Sequence, residues 1–466
     1  MLFNSYEFIF LFLPVAIGGY FFFGRQGCRA AGIWLVCASC FFYGWWDVRY
    51  LPLLLGSIAF NYLVSGVLLR ARDSGRMRLA RGAFLSGIIA NLGLLGYYKY
   101  LDFFLKNLGA VLGTHFHLMA LVLPLGISFF TITQVLYLYD CYVGVARDHD
   151  IVRYALFVSF FPHLMAGPIL YHRQMMHQFA DERLCHVRWD DMARGMTTFI
   201  LGLAKKVLIA DSFVGFVNPA FAHPGDLSFL ESWLVMLCYL CQIYFDFSGY
   251  SDMAVGLARM MGITIPQNFN APYRAASLIT FWQRWHMSLT NALTACVYMP
   301  LVRRFRHPGF FATTFAASFT LFLVGVWHGA GWHYVIFAAM NAVGIVLNHA
   351  WRQARLPMPR PLGHVLTLLF VIFAMVFFRA GSAGDAVLIT SIMVGMHGIA
   401  LPAALPESLP AVVLAIALIL IAWSPTSTQL VRRMTPSWRW FAAAAILFLA
   451  AVSQLGSATD FLYFQF

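Results

Sequence analysis

The chain has 466 residues, of which 61% are hydrophobic and 11% are charged, and its net charge is +12. Because soluble proteins carry about 25% charged residues, this composition excludes a soluble globular protein and indicates an integral membrane protein. The positive charge does not indicate nucleic-acid binding, because the arginines lie in short segments between apolar stretches. Length alone would allow about three soluble domains, but no long polar break divides the sequence. We therefore predict a single all-α transmembrane domain over residues 1–466.

Apolar stretches recur along most of the chain, and a helix needs about 20 apolar residues to cross a bilayer. We predict roughly ten to thirteen hydrophobic segments, some of them too short or too interrupted to span. In chain order they cover residues 7–23, 30–46, 51–70, 82–98, 194–218, 230–247, 311–327, 333–350, 362–378, 408–423 and 438–455. The first lacks the positively charged start and the small-residue cleavage site of a signal peptide, so we expect a retained span.

Arginine clusters between these segments predict the orientation of the chain, because short loops rich in lysine and arginine stay in the cytoplasm. The clusters occupy residues 24–29, 70–81, 301–308, 351–361 and 428–438. With these loops inside, the N-terminus lies outside. The segment Trp327-His328-Gly329 then lies at the far turn of the hairpin 311–350, or partway across the membrane.

Proline and glycine interrupt two apolar stretches in the first half of the chain. In Leu123–Thr131 the interruption predicts either an ordinary kinked span or a re-entrant element that lines a cavity. In Phe160–Ile169 the Gly167-Pro168 pair predicts a change of chain direction near the membrane interface. The nearby histidines lack the i, i+4 spacing and the intervening glutamate of a zinc helix, so we predict no metal site.

Asp246 and Asp252 are two carboxylates six residues apart in an apolar stretch, with hydroxyl side chains between them. A carboxylate is costly in a membrane unless it is paired or lines an aqueous cavity. The two residues can act in acid/base chemistry. We favour a structural role, in which they hold a helix junction through hydrogen bonds to backbone groups or to arginines.

A polar helix is predicted after the turn at Pro266–Arg274, and Ser277 suits its N-cap. On a continuous helix, Trp282 and His286 are four residues apart and share one face. This helix is too polar to meet lipid on all sides, so we expect it to face a cavity or the cytoplasmic surface.

Two histidines, His286 and His328, lie among tryptophans and next to apolar segments. An ionisable group inside a membrane is costly and is a functional-site hypothesis by default. We therefore predict that the two histidines mark a polar reaction path. The alternative is that both are packing elements with hydrogen-bonded rings.

Six stretches of the chain carry motifs that are specific when they are taken together. They are Leu123–Phe130, Phe160–Ile169, Tyr244–Gly256, Pro266–Tyr273, Phe281–Leu289 and Val326–Trp332. The opening Met1–Ser5 with Phe8 belongs to the same set of motifs. With them the chain resembles the bacterial polysaccharide branch of the membrane-bound O-acyltransferase family, which includes alginate and cellulose O-acetylation membrane proteins and, further off, the D-alanyl-teichoic acid transfer protein. The resemblance covers most of residues 1–350, with a motif-bearing core at about 120–350 and C-terminal helices over 362–455. It implies a helical bundle around a central tunnel.

The resemblance also implies roles for individual residues. Family members carry an invariant histidine in a Trp-His-Gly motif, here His328, and a second one that maps to His286. We predict His328 as the general base, because a neutral imidazole suits proton removal near neutral pH. His286 would orient or polarise the thioester or the acceptor. The residues predicted to line or support the tunnel are Trp282, Arg284, Trp285, Trp327, Asp246, Asp252, Asn270 and His333.

The predicted function is O-acetylation of an exopolysaccharide such as alginate or cellulose, with acetyl-CoA or another cytoplasmic thioester as donor substrate and no bound cofactor. The resemblance implies a bacterial inner membrane location, and the arginine clusters predict that the N-terminus lies in the periplasm. The resemblance also implies a periplasmic esterase-like (SGNH) acetyltransferase and a polysaccharide synthase complex as partners, besides membrane lipids, and no nucleic acid. The alternatives are aminoacyl or acyl transfer from a carrier protein, as in teichoic acid D-alanylation, and a non-catalytic transporter or scaffold.

One departure from the family follows His286. Relatives usually have an Arg-Asp pair and then Tyr-x-Tyr-x-Pro-Leu-Gly-Gly. This chain has Thr294-Ala295 instead of the pair, keeps Tyr298-Met299-Pro300-Leu301, and has Val302-Arg303 in place of Gly-Gly. The loss of an ion pair while both histidines are kept predicts altered donor or partner contacts.

Overall fold

The computed structural model describes residues 1–399, 409–435, 437–457, 459 and 461–462. It is 77% helical, and the described residues contain no strand. The prediction of an all-α protein is therefore confirmed. The first residue of the predicted segment 408–423 lies outside the described residues, as do residues 400–408 and 436 of the predicted C-terminal helices.

Six helices within the described ranges are long and apolar enough to cross a membrane. They are Val48–Asp73, Met77–Leu112, Phe229–Met260, Phe310–His328, Trp332–Gln353 and Arg360–Arg379. Shorter apolar helices are Phe8–Gly24, Cys28–Gly44, Ala383–Met393, Ala411–Trp423 and Trp438–Ser453. Their total falls within the predicted range, and the protein is a multi-pass membrane protein.

The chain divides into two compact units. The first comprises Met1–Leu201, Tyr250–Gln267 and Met434–Ala444, and the second comprises Gly202–Gly249, Asn268–Arg433 and Ala445–Phe466. Both histidines of interest belong to the second unit. A single domain over residues 1–466 stays a prediction.

Helices of the N-terminal part build the first unit. They are α1 (Leu13–Gly24), α2 (Cys28–Gly44), α3 (Leu51–Asp73), α4 (Met77–Leu95), α5 (Leu101–Leu112), α6 (Ile127–Val143), α7 (Ile151–Ser159), α8 (Phe161–Leu164) and α9 (His172–Phe179). Helices α3 and α4 pack together, and their buried amides Asn61 and Asn91 hydrogen-bond to each other at 3.2 and 2.6 Å. This pairing satisfies polar groups that would otherwise be costly in an apolar interior.

Each proline-glycine interruption of the first unit lies at a helix end. Helix α6 begins at Ile127, directly after Gly126 in the left-handed conformation (φ +71°), and residues 114–124 are not helical. The prediction of an ordinary kinked span over Leu123–Thr131 is therefore wrong, whereas a re-entrant element stays a prediction. The break at Gly167-Pro168 is confirmed, because α8 ends at Leu164 and the next helix starts only at His172.

The next helices are α10 (Trp189–Ala204), α11 (Val214–Ala222) and α12 (Phe229–Met260). The predicted segment 194–218 is helical throughout, with a π-helical turn at Lys205–Ala210 and a 3₁₀ turn at Asp211–Phe213 after α10, but it is not among the helices long and apolar enough to cross a membrane. Lys206 and Asp211 of this stretch pair with each other inside the protein. The predicted end of a segment at residue 247 is wrong. Helix α12 runs on without a junction through Asp246 and Asp252.

The remaining helices, in the second unit except for the start of α22, are α13 (Leu278–Trp282), α14 (Met287–Leu293), α15 (Met299–Arg303), α16 (Phe310–His328), α17 (Trp332–Gln353), α18 (Arg360–Arg379), α19 (Ala383–Met393), α20 (Ala411–Trp423), α21 (Ser427–Arg432) and α22 (Trp438–Ser453). Helices α16 and α17 form a closely packed hairpin. A Cβ atom on Gly325 of α16 would overlap Ala338 of α17, so small residues allow the two backbones to approach. The hairpin and the short helices before it carry the two histidines.

Candidate active site

The first histidine ends a helix at a tight turn. His328 is the last residue of α16, and α17 begins at Trp332 after three residues. A Cβ atom on Gly329 would overlap the ring of Tyr334, so this turn requires glycine after His328. The position of His328 at the hairpin turn is thus confirmed, while its depth in a membrane stays a prediction.

Aromatic rings enclose the His328 side chain, which is 7% exposed. The ring of Phe378 lies 5.1 Å from the imidazole, edge to face, and those of Trp327 and Phe337 lie at 5.2 and 6.4 Å. Trp327 was predicted to support the site, and its ring packs against the histidine. The imidazole is therefore held on several sides by rigid apolar groups.

The second histidine lies at a break between two short helices. Ser277 caps α13, as predicted, by accepting a hydrogen bond from the backbone N–H of Thr280 at 3.2 Å. Helix α13 already ends at Trp282, and His286 has a left-handed backbone (φ +45°, ψ +54°) before α14 begins. The prediction that Trp282 and His286 share a helical face is wrong, because non-helical backbone bonds redirect the chain between them.

Those backbone bonds come from residues 268–270. The backbone N–H of Met287 donates to the carbonyl of Asn268 at 2.9 Å, and the N–H of Asn270 donates to the carbonyl of Arg284 at 3.0 Å. The Asn268 side-chain oxygen also accepts bonds from the hydroxyl and the N–H of Ser288. Asn268 and Ser288 are both buried, so this clamp fixes the His286 turn from inside the protein.

Burial decides the protonation state of His286, whose side chain is 3% exposed. The Phe247 ring meets the imidazole edge to face at 4.8 Å, and Phe269 packs between Phe247 and Trp285 at 5.0 and 5.1 Å. Desolvation by burial lowers the pKa of His286 to about 3. His286 is therefore neutral near pH 7, able to orient a group by hydrogen bonding but poorly suited to hold a proton.

His286 and His328 line one cavity of about 380 Å³. Of the described residues that line it, Trp282 and Trp285 are also predicted site residues. Its other polar lining residues include Gln283, Thr290, Thr294, Tyr298, Thr320, His349 and Arg352. Thr294 stands at the departure from the family pattern, so that departure alters the wall of the cavity itself.

The cavity follows the α16–α17 hairpin lengthwise. Its α16 wall runs from Ala317 to His328, twelve residues that span about 16 Å of helix. On α17 it includes Ile345, His349 and Arg352, near the open end of the hairpin. Along the hairpin, His328 therefore lies at the turn end of the cavity wall and Arg352 lies toward the open end.

Asp246 belongs to a buried charged cluster. Its Oδ1 lies 2.8 Å from Lys206 Nζ, which is also 2.6 Å from Asp211 Oδ1. Burial lowers the pKa of Lys206, but Asp246 and Asp211 together raise it above its usual value, so the lysine is charged. Asp246 also accepts a bond from the backbone N–H of Leu462 at 3.0 Å. The predicted bond to a backbone group is present, and the paired cation is a lysine instead of an arginine.

The other predicted residues have different surroundings. Asp252 belongs to the first unit. Asn270 is exposed and contributes its backbone N–H to the His286 turn, and Arg284 accepts that bond through its carbonyl. The ring of His333 packs 4.2 Å from that of Tyr334. Among the described residues no group of three or more His, Cys, Asp or Glu side chains could hold a metal ion.

Several residues of the site were missed from sequence. Asn268 lies in the predicted turn at Pro266–Arg274, and no sequence pattern indicated that its side chain is buried. His349 lies seven residues, two helical turns, after Ala342 on the hairpin face that also carries Ile345 and Arg352, a periodicity that sequence can reveal. Lys206 and Phe247 gave no such signal, because their partners are far away in the chain.

Comparison with known proteins gives a family match and close relatives. The family model described as MBOAT, membrane-bound O-acyltransferase family, matches residues 83–383. The chain is 39% identical over 434 residues to the peptidoglycan O-acetyltransferase of Helicobacter pylori, covering 86% of this chain and 81% of that protein. It is 38% identical over 391 residues to the probable alginate O-acetylase of Pseudomonas aeruginosa, covering 82% and 72%.

A more distant similarity is to the teichoic acid D-alanyltransferase of Bacillus subtilis. The two chains are 31% identical over 228 residues, which is 47% of this chain and 57% of that protein. The extent of these matches places the carbohydrate O-acetylating proteins nearer to this chain than the D-alanylating one.

Proposed function

Because the chain belongs to the membrane-bound O-acyltransferase family, we propose that it moves an acetyl group from a cytoplasmic thioester, acetyl-CoA, to a polysaccharide outside the cytoplasm. The protein is an acyltransferase. The named relatives act on alginate and on peptidoglycan, which supports an acceptor of this kind. A cellulose acceptor stays a prediction.

The observation that carries this proposal is the single cavity that both histidines line. General acid–base catalysis needs the catalytic group within hydrogen-bonding reach of the reacting atoms. A shared cavity lets one bound substrate meet His328 and His286 together, although 41 residues of chain separate them. Packing histidines alone would have no reason to face a common empty space.

We propose different roles for the two imidazoles. His328 removes the proton of the acceptor hydroxyl, the acceptor oxygen attacks the thioester carbonyl, and the carbon–sulfur bond breaks to release the donor thiolate. His286, kept neutral by its buried position, donates a hydrogen bond that orients or polarises the carbonyl. A thioester already has a good leaving group, so positioning and proton removal are the main tasks of the protein.

The arginine end of the cavity supports a cytoplasmic donor. Arg352 lines the cavity and belongs to the arginine-rich segment 351–361, which the charge distribution predicts to be cytoplasmic. A guanidinium suits the phosphates of acetyl-CoA. We propose that the donor enters at this end and that its acetyl group reaches the histidines at the other.

The location and partners follow from this route. We propose a multi-pass protein of the bacterial inner membrane with its N-terminus in the periplasm, as the arginine clusters predict. A periplasmic esterase-like acetyltransferase and a polysaccharide synthase complex are the partners we propose, since the polymer itself must be met outside the cytoplasm.

Acetyl transfer from labelled acetyl-CoA by the purified protein tests the proposal. We expect His328→Ala to lower turnover by about 10²–10⁴-fold, the usual contribution of a general base. His349→Ala is the matched control, because this histidine lines the donor end of the cavity, away from the proposed chemistry, and should change mainly the KM.

Each alternative has its own outcome in that assay. Turnover that survives in His328→Ala would contradict the base. No turnover with acetyl-CoA, but turnover with an acylated carrier protein, would favour the aminoacyl or acyl carrier alternative, and none with any thioester would favour a transporter or scaffold.

A further inference from the structure

Asp246 belongs to a buried charged cluster and directly precedes Phe247, whose ring packs on His286. Lys206, Asp211 and Asp246 have side chains that are 3%, 8% and 3% exposed, and the lysine ammonium contacts both carboxylates. Replacing a buried ion pair by apolar residues is often neutral or stabilising, so stability alone is a weak reason for such a cluster. Its hydrogen bonds indicate what it does instead.

The two carboxylates bind two of the last described residues of the chain, Thr459 and Leu462. The hydroxyl of Thr459 donates to Asp211 Oδ1 at 2.6 Å, and the backbone N–H of Leu462 donates to Asp246 Oδ2 at 3.0 Å. Asp246 therefore uses one oxygen for Lys206 and the other for Leu462. More than two hundred residues separate these partners in the chain, and the cluster joins them.

Phe461, which lies between these two bound residues, packs its ring against the ring of Phe247, and Phe247 in turn contacts His286. Phe461 lies between Thr459 and Leu462 and is 2% exposed, and its ring centroid is 5.7 Å from that of Phe247. Phe247 is 1% exposed and meets the His286 imidazole edge to face at 4.8 Å. The contacts thus form a continuous line from the charged cluster to the imidazole.

We propose that Asp246, Lys206 and Asp211 are positioning residues for His286, acting through Thr459, Phe461 and Leu462 and the ring of Phe247. The inference rests on the proposed role of His286 in acyl transfer. The clamp of Asn268 fixes the backbone of His286, while the cluster fixes the face against which its imidazole packs. Loss of either carboxylate contact frees Thr459 or Leu462, loosens the packing of Phe461 on Phe247, and lets the imidazole move within the cavity.

Two variants of the purified full-length protein test the charged cluster and the Phe247 ring separately. Asp246→Asn keeps the size of the side chain but removes its charge, so it should weaken the bond from Leu462. Phe247→Ala leaves the charged cluster intact and removes the ring. The measurements are kcat and KM with acetyl-CoA, and hydrogen–deuterium exchange of the peptide that contains Leu462.

We expect both variants to lower kcat by about tenfold with KM changed less than twofold, since about 1 Å of misplacement can cost about 10²-fold. Exchange at the Leu462 peptide should rise in Asp246→Asn and stay unchanged in Phe247→Ala. The conservative Phe247→Leu should recover part of the lost kcat. Ser382→Ala is the matched control, because it removes the N-cap of α19 in the same unit without touching the cluster, and its kcat should stay within twofold.

The outcomes separate this inference from the function on which it rests. If His286→Ala loses turnover while Phe247→Ala keeps it, the positioning role is wrong and the proposed function stands. If His286→Ala keeps its turnover, the role of His286 and this inference fail together. Unchanged exchange in a folded Asp246→Asn would contradict the hold on the C-terminal segment, whatever the kinetics.

Discussion

The two histidine turns reach the same cavity by different structural means. His328 ends a regular helix, and its neighbours Gly329 and Tyr334 shape the turn within seven residues of chain. His286 lies between two helices of five and seven residues in a left-handed conformation, which distant partners stabilise. One turn thus depends on neighbouring residues and the other on residues distant in the chain, although both histidines line one cavity. We therefore expect substitutions at the two turns to lower turnover to different extents.

The largest effect is expected at the local turn. Gly329→Ala places a methyl group where the Tyr334 ring lies, so the turn must shift and carry His328 with it. We expect turnover to fall by about 10²-fold, measured with labelled acetyl-CoA, together with a lower thermal stability. Gly309→Ala at the start of α16 is the control, because a Cβ atom there meets no atom within 4 Å. Equal turnover in the two variants would show that the turn tolerates a side chain.

A smaller effect is expected at the assembled turn. Asn268→Ala removes the acceptor of two hydrogen bonds from Ser288, and the loss of a buried partner costs about 1–3 kcal/mol. We expect turnover to fall by about tenfold, because the backbone bond from Met287 to the Asn268 carbonyl survives. Asn291→Ala, at an exposed position on α14, serves as control. A loss equal to that of Gly329→Ala would mean that the side chain, and not the backbone, dominates the His286 turn.

The pH dependence of kcat/KM distinguishes the two imidazoles directly. Burial lowers the pKa of His286 to about 3, so this group stays neutral throughout the range in which free imidazole titrates, near pH 6.5. A base must be unprotonated to act, so activity should fall on acidification with the slope of one proton. A slope of two protons between about pH 5 and pH 8 would show that His286 titrates as well.

The mildest effect is expected at the far end of the cavity. Arg352→Gln removes a charge that lies about five to six turns of helix along α17 from the His328 turn. The substitution should raise the KM for acetyl-CoA roughly fivefold and leave kcat nearly unchanged, as suits an exposed ionic contact. The increase should shrink at high salt. Arg360→Gln, also exposed and outside the described cavity lining, is the control. A fall in kcat instead of a rise in KM would contradict a donor contact.

The same contrast explains what could be predicted from the sequence. Hydropathy predicted most of the long helices, the α16–α17 hairpin and the position of His328 at its turn, because these features depend on neighbouring residues. Ser277 was predicted as an N-cap for the same reason.

Features that depend on distant partners were missed. The break before His286 requires backbone bonds from residues 268–270, and Lys206, within the predicted segment 194–218, pairs with Asp246. Asp246 suggested a helix junction, but α12 is continuous there, because the carboxylate is hydrogen-bonded by Leu462. The spacing of apolar residues in the sequence cannot reveal a hydrogen-bond partner that lies more than two hundred residues away.

The left-handed backbone of His286 has a consequence for the stability of the whole protein. A non-glycine residue in this conformation carries a cost of about 1 kcal/mol or more. A glycine at position 286 would remove that backbone cost, but it would also leave the space of a buried imidazole empty beside Phe247. The packing around the ring therefore holds a histidine in a conformation that glycine adopts more readily, and the strain of the turn is offset by the contacts of its side chain.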